Sequence, residues 1–273
     1  MSGAAQIVGV RTSTITGRDL DDAPWTHRTL IKTWRTRGTL HPFPSEELPL
    51  WVAAFKQRQW PRFTPAWVKY HGVKPEDLRR ITTAVGAVLP GRVLTRDEHA
   101  TEIAGTLRKP VLAEKIRSGW GVMLKPAAAG GLLCFGQDRE RNVTFTDPRS
   151  HVPGVRWDDF DPDVALREIV TRFLDVYGPA THEDFGRWWG TDAARLGGSS
   201  PLTPTRRAAV SVDGQNALLT LVGIEKIRRL RHLESPATRG PGRDHRRPIR
   251  DHQRIDEEDC RQVRAALPAH HRF

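Results

Sequence analysis

Basic side chains fall in this sequence at positions where they could hold phosphate. Lys32, Arg35, Arg37 and His41 occupy one short segment, Lys115 and Arg117 a second, and Arg139 and Arg141 a third. Arginine forks match phosphate oxygens in pairs, lysine adds a point charge, and a neutral histidine can bond either a phosphate oxygen or a backbone group. These eight residues form the candidate binding set. Arg206 and Arg207 precede a third hairpin-like segment and read more readily as solvated charges than as phosphate contacts. Groups for bond-breaking chemistry are scarcer. Asp19 and Glu46 are isolated acids that read as carboxylates at helix starts, where the helix dipole favours them. Gln57-Arg58-Gln59 has two amides around a charged centre and reads as a solvated helix face. Cys134 and Cys260 are far apart with no CxxC pair, and His245, His252, His270 and His271 lack metal-ligand spacing. The expectation is no catalytic residue, no metal and no cofactor.

The whole chain carries the same bias. Its 273 residues include 43 Lys and Arg against 32 Asp and Glu, a formal net charge of +11. Only 8 of the 43 are lysine. Such a surplus favours a polyanionic partner, and double-stranded DNA is the expected one; the plainer alternative is a coding bias toward arginine. Hydrophobic residues make up 38%, which suits several small cores rather than one large one. No apolar run is long enough to span a membrane and no signal pattern opens the chain. A monomer in the cytoplasm, associated with the nucleoid, is the default expectation.

The elements that must position these residues follow from local signals. Thr16 and Asp19 have capping-box spacing for a short helix that Pro24 should end. Thr29–Trp34 and Thr39–Phe43 flank an arginine-rich turn closed by Gly38, which predicts a β-hairpin. Ser45 opens a helix carrying Leu50, Trp51, Ala54 and Phe55. A second set of elements begins with a helix over Pro75–Val88, then one started by Thr95 and Glu98, then one over Pro110–Gly119. The apolar runs Gly131–Gly136 and Val143–Phe145 predict strands joined by a turn at Gln137–Asn142. A third set has a helix over Asp161–Tyr177, a Thr181/Asp184 cap, and a hairpin of Ala208–Val212 and Ala217–Leu221 around Asp213-Gly214. Trp51, Trp60, Trp67 and Trp120 are expected in cores; of Trp188 and Trp189, one should be buried and one partly exposed.

The repeating order, helices with a threonine-capped helix and then a hairpin, predicts an α+β, mainly α fold of tandem winged-helix units. The expected divisions are a partial unit over 1–70, a second over 71–158, a third over 159–233 and a basic tail over 234–273. The tail has nine arginines and four residues from Val, Ile and Leu, too few apolar groups to offset its ordering entropy, so disorder is expected; a frameshift would produce the same composition.

Specific runs add to this reading. Arg28-Thr29-Leu30-Ile31-Lys32-Thr33-Trp34 followed by Arg37-Gly38-Thr39-Leu40-His41 resembles the AlkZ-like winged-helix DNA glycosylase family, which includes the YcaQ-type enzymes. Leu48-Pro49-Leu50-Trp51, Leu133-Cys134-Phe135-Gly136 and the run from Tyr177 to Phe185 are similar to the same family in the same order, so the resemblance covers roughly 1–230. It implies three tandem winged helices, bacterial origin, and excision of alkylated or cross-linked bases. Members carry a Gln-x-Gln or Gln-x-Asp catalytic motif that would lie before a segment like Met1–Thr12. Gln57-Arg58-Gln59 follows the Arg-Gly-Thr-Leu-His run and has arginine at its centre, so it departs from that pattern. The expectation is therefore a truncated, catalytically inactive DNA-binding member. The alternatives are an active glycosylase whose start lies upstream, or a winged-helix transcriptional regulator.

Overall fold

The computed structural model describes residues 15–58, 64–118, 121–157, 159–191, 207–212 and 215–220. The expectations for Trp60, Trp120, Arg206, Asp213-Gly214, Cys260 and the tail lie outside them. The chain divides into two compact units, Met1–Leu166 and Arg167–Phe273.

Among the described residues, the first unit begins with α1 (Gly17–Trp25), and the Thr16/Asp19 capping box is fully formed. Strands β1 (Leu30–Trp34) and β2 (Leu40–Pro44) pair antiparallel, with Leu30 opposite Pro44 and Trp34 opposite Leu40. A 3₁₀ turn over Thr36–Gly38 joins them. A second 3₁₀ turn, Ser45–Glu47, leads into α2 (Leu48–Phe55), so the helix expected from Ser45 starts one turn later. The short helix α3 (Pro65–His71) has no counterpart in the sequence reading; Thr64 caps its start and Gly72, at φ 60°, its end.

The elements α4 (Pro75–Val88), β3 (Val93–Thr95), α5 (Arg96–Leu107) and α6 (Val111–Ser118) follow. Then come α7 (Lys125–Ala129), β4 (Cys134–Phe135), β5 (Thr144–Thr146) and the one-turn α8 (Pro148–His151). β3 is a strand the sequence does not announce. Three residues ahead of a helix cap carry too little periodicity; the pairing of Leu94 with Phe145 makes them a strand. The resulting sheet has the order β3-β5-β4.

Among the described residues, two cores hold this unit together. The larger gathers Leu78, Ile81, Val85, Ile103, Ile116 and Phe145, and Trp34 of the first hairpin reaches into it. The smaller holds Ile31, Leu48, Cys134 and Val152. Adjacent strand residues point to opposite faces, and β1 therefore serves both cores, with Ile31 in one and Trp34 in the other. Thr33 fixes the position further by donating to the Leu133 carbonyl at 3.1 Å.

The second unit takes the larger part of α9 (Pro162–Tyr177), then α10 (His182–Trp189) and the hairpin of β6 (Arg207–Val212) and β7 (Gln215–Thr220). α10 starts on the expected Thr181/Asp184 capping box. Phe173, Phe185 and Trp189 pack ring to ring and are buried, as are Ile169 and Leu219, while Trp188 is half-buried, as expected of that pair. The Thr220 hydroxyl donates to Asp175 at 2.6 Å and ties β7 to α9.

Candidate nucleic-acid interface

The turn between β1 and β2 is built from left-handed backbone. Arg37 has φ 55° and Gly38 φ 67°. The Arg35 N–H donates to Thr39 O at 2.9 Å, and the Gly38 N–H to Arg35 O at 3.0 Å. The Thr39 hydroxyl donates to Thr36 O at 2.9 Å and lies 2.7 Å from His41 Nε2. A hydroxyl has one proton, so the assignment that satisfies both contacts makes His41 the donor from Nε2 to Thr39. Partial burial, with the charges of Arg35 and Arg37, holds the His41 pKa below its ordinary value. A neutral histidine thus braces the turn, and Arg37 projects from it exposed.

Lys125, at the start of α7, completes this corner. Its Nζ lies 3.2 Å from the point where a Cβ on Gly38 would stand, and burial lowers its pKa. Lys125 is absent from the sequence-derived set. It is far from Gly38 along the chain, so no local spacing links them.

Arg35 does not project with Arg37. Its side chain is 5% exposed, and its Cζ sits 3.5 Å from the Phe43 ring centroid and 3.7 Å from that of Trp51. Both terminal nitrogens are buried without a hydrogen-bond acceptor. Burial pulls its pKa well below the ordinary value, partly opposed by the charge of Glu47. The sequence reading offers Arg35 to phosphate; the aromatic neighbours that draw it inside come from β2 and α2. Lys32 is half-buried, with Nζ 5.3 Å from the Phe135 ring centroid.

The second group is divided in the same way. On α6, Lys115 is half-buried, whereas Arg117 turns back to α5, donating to Asp97 at 3.1 Å and Thr101 at 3.0 Å. In the turn between β4 and β5, Arg139 grips Glu98 at 3.0 and 3.3 Å and the Val93 carbonyl at 2.9 Å. Glu98 is the same carboxylate that caps α5 through the Thr95 N–H, and that contact leads the causes lowering its pKa. Arg141 is exposed and, among the described residues, unpaired. The structure therefore brings together Arg37, His41 and Lys125, leaves Arg141 free, and ties Arg117 and Arg139 to carboxylates.

The candidate acids and amides have structural work. Asp19 accepts from the Thr16 N–H and hydroxyl, both at 2.7 Å, and these bonds hold its pKa low. Glu46 lies in a 3₁₀ turn. The Gln57 amide donates to Asp163 at 2.7 Å; Gln59 lies outside the described residues. Among the described residues no group of three metal-ligating side chains forms, and no helix is long and apolar enough to cross a membrane. Cys134 is buried, and burial raises its pKa far above the ordinary thiol range. An open groove of about 850 Å³ runs beside the hairpin, lined by His27, Arg28, Glu46 and Arg156 among others.

Comparison with known proteins gives one consistent answer. A family model described as DNA glycosylase AlkZ-like matches residues 4–200. An interstrand DNA cross-link repair glycosylase from Streptomyces sahachiroi is 41% identical over 161 residues, 58% of this chain and 43% of that protein. The solved structure of Streptomyces sahachiroi DNA glycosylase AlkZ aligns with a TM-score of 0.70 at 32% identity, covering 81% of this chain and 60% of that one. The chain thus spans less than two thirds of the length of the relatives it matches.

Proposed function

The chain belongs to the AlkZ-like DNA glycosylase family, and from that premise we propose that it binds double-stranded DNA, as a monomer in the bacterial cytoplasm, without itself excising bases. The observation that carries the binding half is the corner of exposed Arg37 beside Lys125, braced by neutral His41. One cation on the hairpin turn and a second reaching it from α7 suit the backbone of a duplex, which positions the protein without reading sequence.

Winged-helix architecture is part of the proposal. The order α4-β3-α5-α6-α7-β4-β5, with sheet order β3-β5-β4, supports it for residues 71–158. In that arrangement α6 is the groove-facing helix and Arg141 lies on the wing. Helices α9 and α10 followed by the β6-β7 hairpin support a further unit over 159–233. The first hairpin stands as the partial unit over 1–70.

The non-excising half rests on the engagement of the candidate groups. Cleaving a glycosidic bond needs a residue placed to activate water or steady a positive sugar. Asp19 caps a helix and Gln57 is bonded to Asp163. The second reading is excision of damaged bases, favoured by the 41% identity to a protein described as a cross-link repair glycosylase. Incubation with alkylated and with cross-linked duplex DNA, followed by alkali, separates the two. The expected result is duplex binding with no strand breaks above background. Alkali-dependent breaks establish the second reading, and a lack of duplex binding at low salt removes the first.

A further inference from the structure

We propose that the C-terminal end of α3, with the neighbouring face of α6, is a second nucleic-acid contact, where Tyr70 stacks on an unpaired DNA base and lysines hold the flanking phosphates. This rests on the DNA-binding reading above and adds to it the kind of DNA bound.

Tyr70 is 85% exposed, more than any other large hydrophobic side chain among the described residues. An amphipathic ring of this size ordinarily buries much of its surface. Here it is held out of the core: its edge meets His71 at 4.9 Å between centroids and 88°, and His71 lies 4.4 Å from Trp67. Trp67 packs against the main core, so the ring series runs from the interior to the surface. A ring face left open to solvent offers a base a surface to stack on.

The charges on its own segment are of one kind. Lys69 and Lys74 are exposed on either side of Tyr70, and no acid occurs from Thr64 to Lys74. Lys115 joins them from α6, with its Nζ 3.0 Å from the point where a Cβ on Gly72 would stand. Gly72 also sits at φ 60°, so the backbone favours glycine there. Among nearby acids, Asp77 is taken by Lys109 at 2.6 Å, while Glu76 and Glu114 are exposed on α4 and α6. A lone exposed aromatic among lysines does not suit an apolar protein partner. It does suit a nucleic-acid strand, whose bases offer flat faces at every position and whose backbone is uniformly anionic.

The test uses the full chain and two DNAs, a plain duplex and the same duplex with one unpaired 2-aminopurine. The unmodified protein should bind the second more tightly and quench its fluorescence. Tyr70→Ala should remove that preference, about tenfold in Kd, and leave the plain duplex unchanged, while Tyr70→Phe retains it. Lys69→Gln with Lys74→Gln should lower the log–log salt slope on both DNAs by about one for every phosphate no longer held. Unchanged or equally weakened binding of the two DNAs by Tyr70→Ala overturns the inference while duplex binding stands. No binding of either DNA by the unmodified protein overturns the DNA reading itself.

Discussion

At Arg35 a cation lies between two rings with nothing to accept its terminal N–H groups. The ring faces offset part of its desolvation, but buried charge without a hydrogen-bonded partner is costly, and apolar replacements of similar volume are often neutral or stabilising. Arg35→Met should leave the unfolding free energy within about 1 kcal/mol of the unmodified protein or above it; a loss beyond about 2 kcal/mol in a denaturant titration would show the guanidinium to be structurally required. His99 is the neutral counterpart. It is fully buried against Phe145 with both ring nitrogens unpartnered, and burial, aided by the charge of Arg92, pushes its pKa down to about 4 from 6.5. Between those values the unfolded chain binds a proton that the folded one does not. Stability is therefore full above about pH 6.5 and falls by about 3 kcal/mol as pH drops toward 4. His99→Leu should flatten that part of the pH–stability curve; an unchanged curve would assign the acid sensitivity to other groups.

At the scale of elements, the first hairpin depends on one close approach. A Cβ on Gly121 would lie 2.3 Å from Cζ2 of Trp34, and Gly121 also has φ 73°. The indole is wedged against Phe135 and Phe145, at 4.9 and 6.1 Å between centroids, so it has little room to yield. Gly121→Ala should therefore cost roughly 2–3 kcal/mol by combining overpacking with a strained backbone. Thermal unfolding measures this, and a change below about 0.5 kcal/mol would mean that Trp34 is free to move. A destabilised Gly121→Ala should also weaken DNA binding, because Trp34 seats the hairpin that carries Arg37.

Across the whole molecule the charge of +11 sets the expected response to salt. Affinity for duplex DNA should fall steeply with ionic strength, by roughly 0.9 log units per tenfold salt for each phosphate contact. Arg37→Ala should reduce that slope by about one phosphate's share without altering the melting temperature, since Arg37 is exposed. Arg139→Ala should act differently. It removes a grip on Glu98 and Val93, so its effect should appear in stability as well as in binding. A salt slope unchanged by Arg37→Ala would move the phosphate-holding role to other cations.

The sequence alone determined the local devices. The Thr16/Asp19, Thr95/Glu98 and Thr181/Asp184 caps form as their spacing requires, because each closes within three residues and needs no partner elsewhere. The strands around Arg37 and the helix over Pro75–Val88 were legible from a local turn signal and from helical periodicity. The fate of each cation was not. Whether an arginine meets solvent, a carboxylate or a ring depends on what distant segments place beside it. Tertiary packing buried Arg35 under Trp51, tied Arg117 to Asp97 and Arg139 to Glu98, and put Lys125 beside Gly38. It also made a strand of Val93–Thr95, through pairing partners about fifty residues away, as between Val93 and Thr146. Long-range contacts outweigh the weak local preferences of so short a segment and of freely rotating charged side chains.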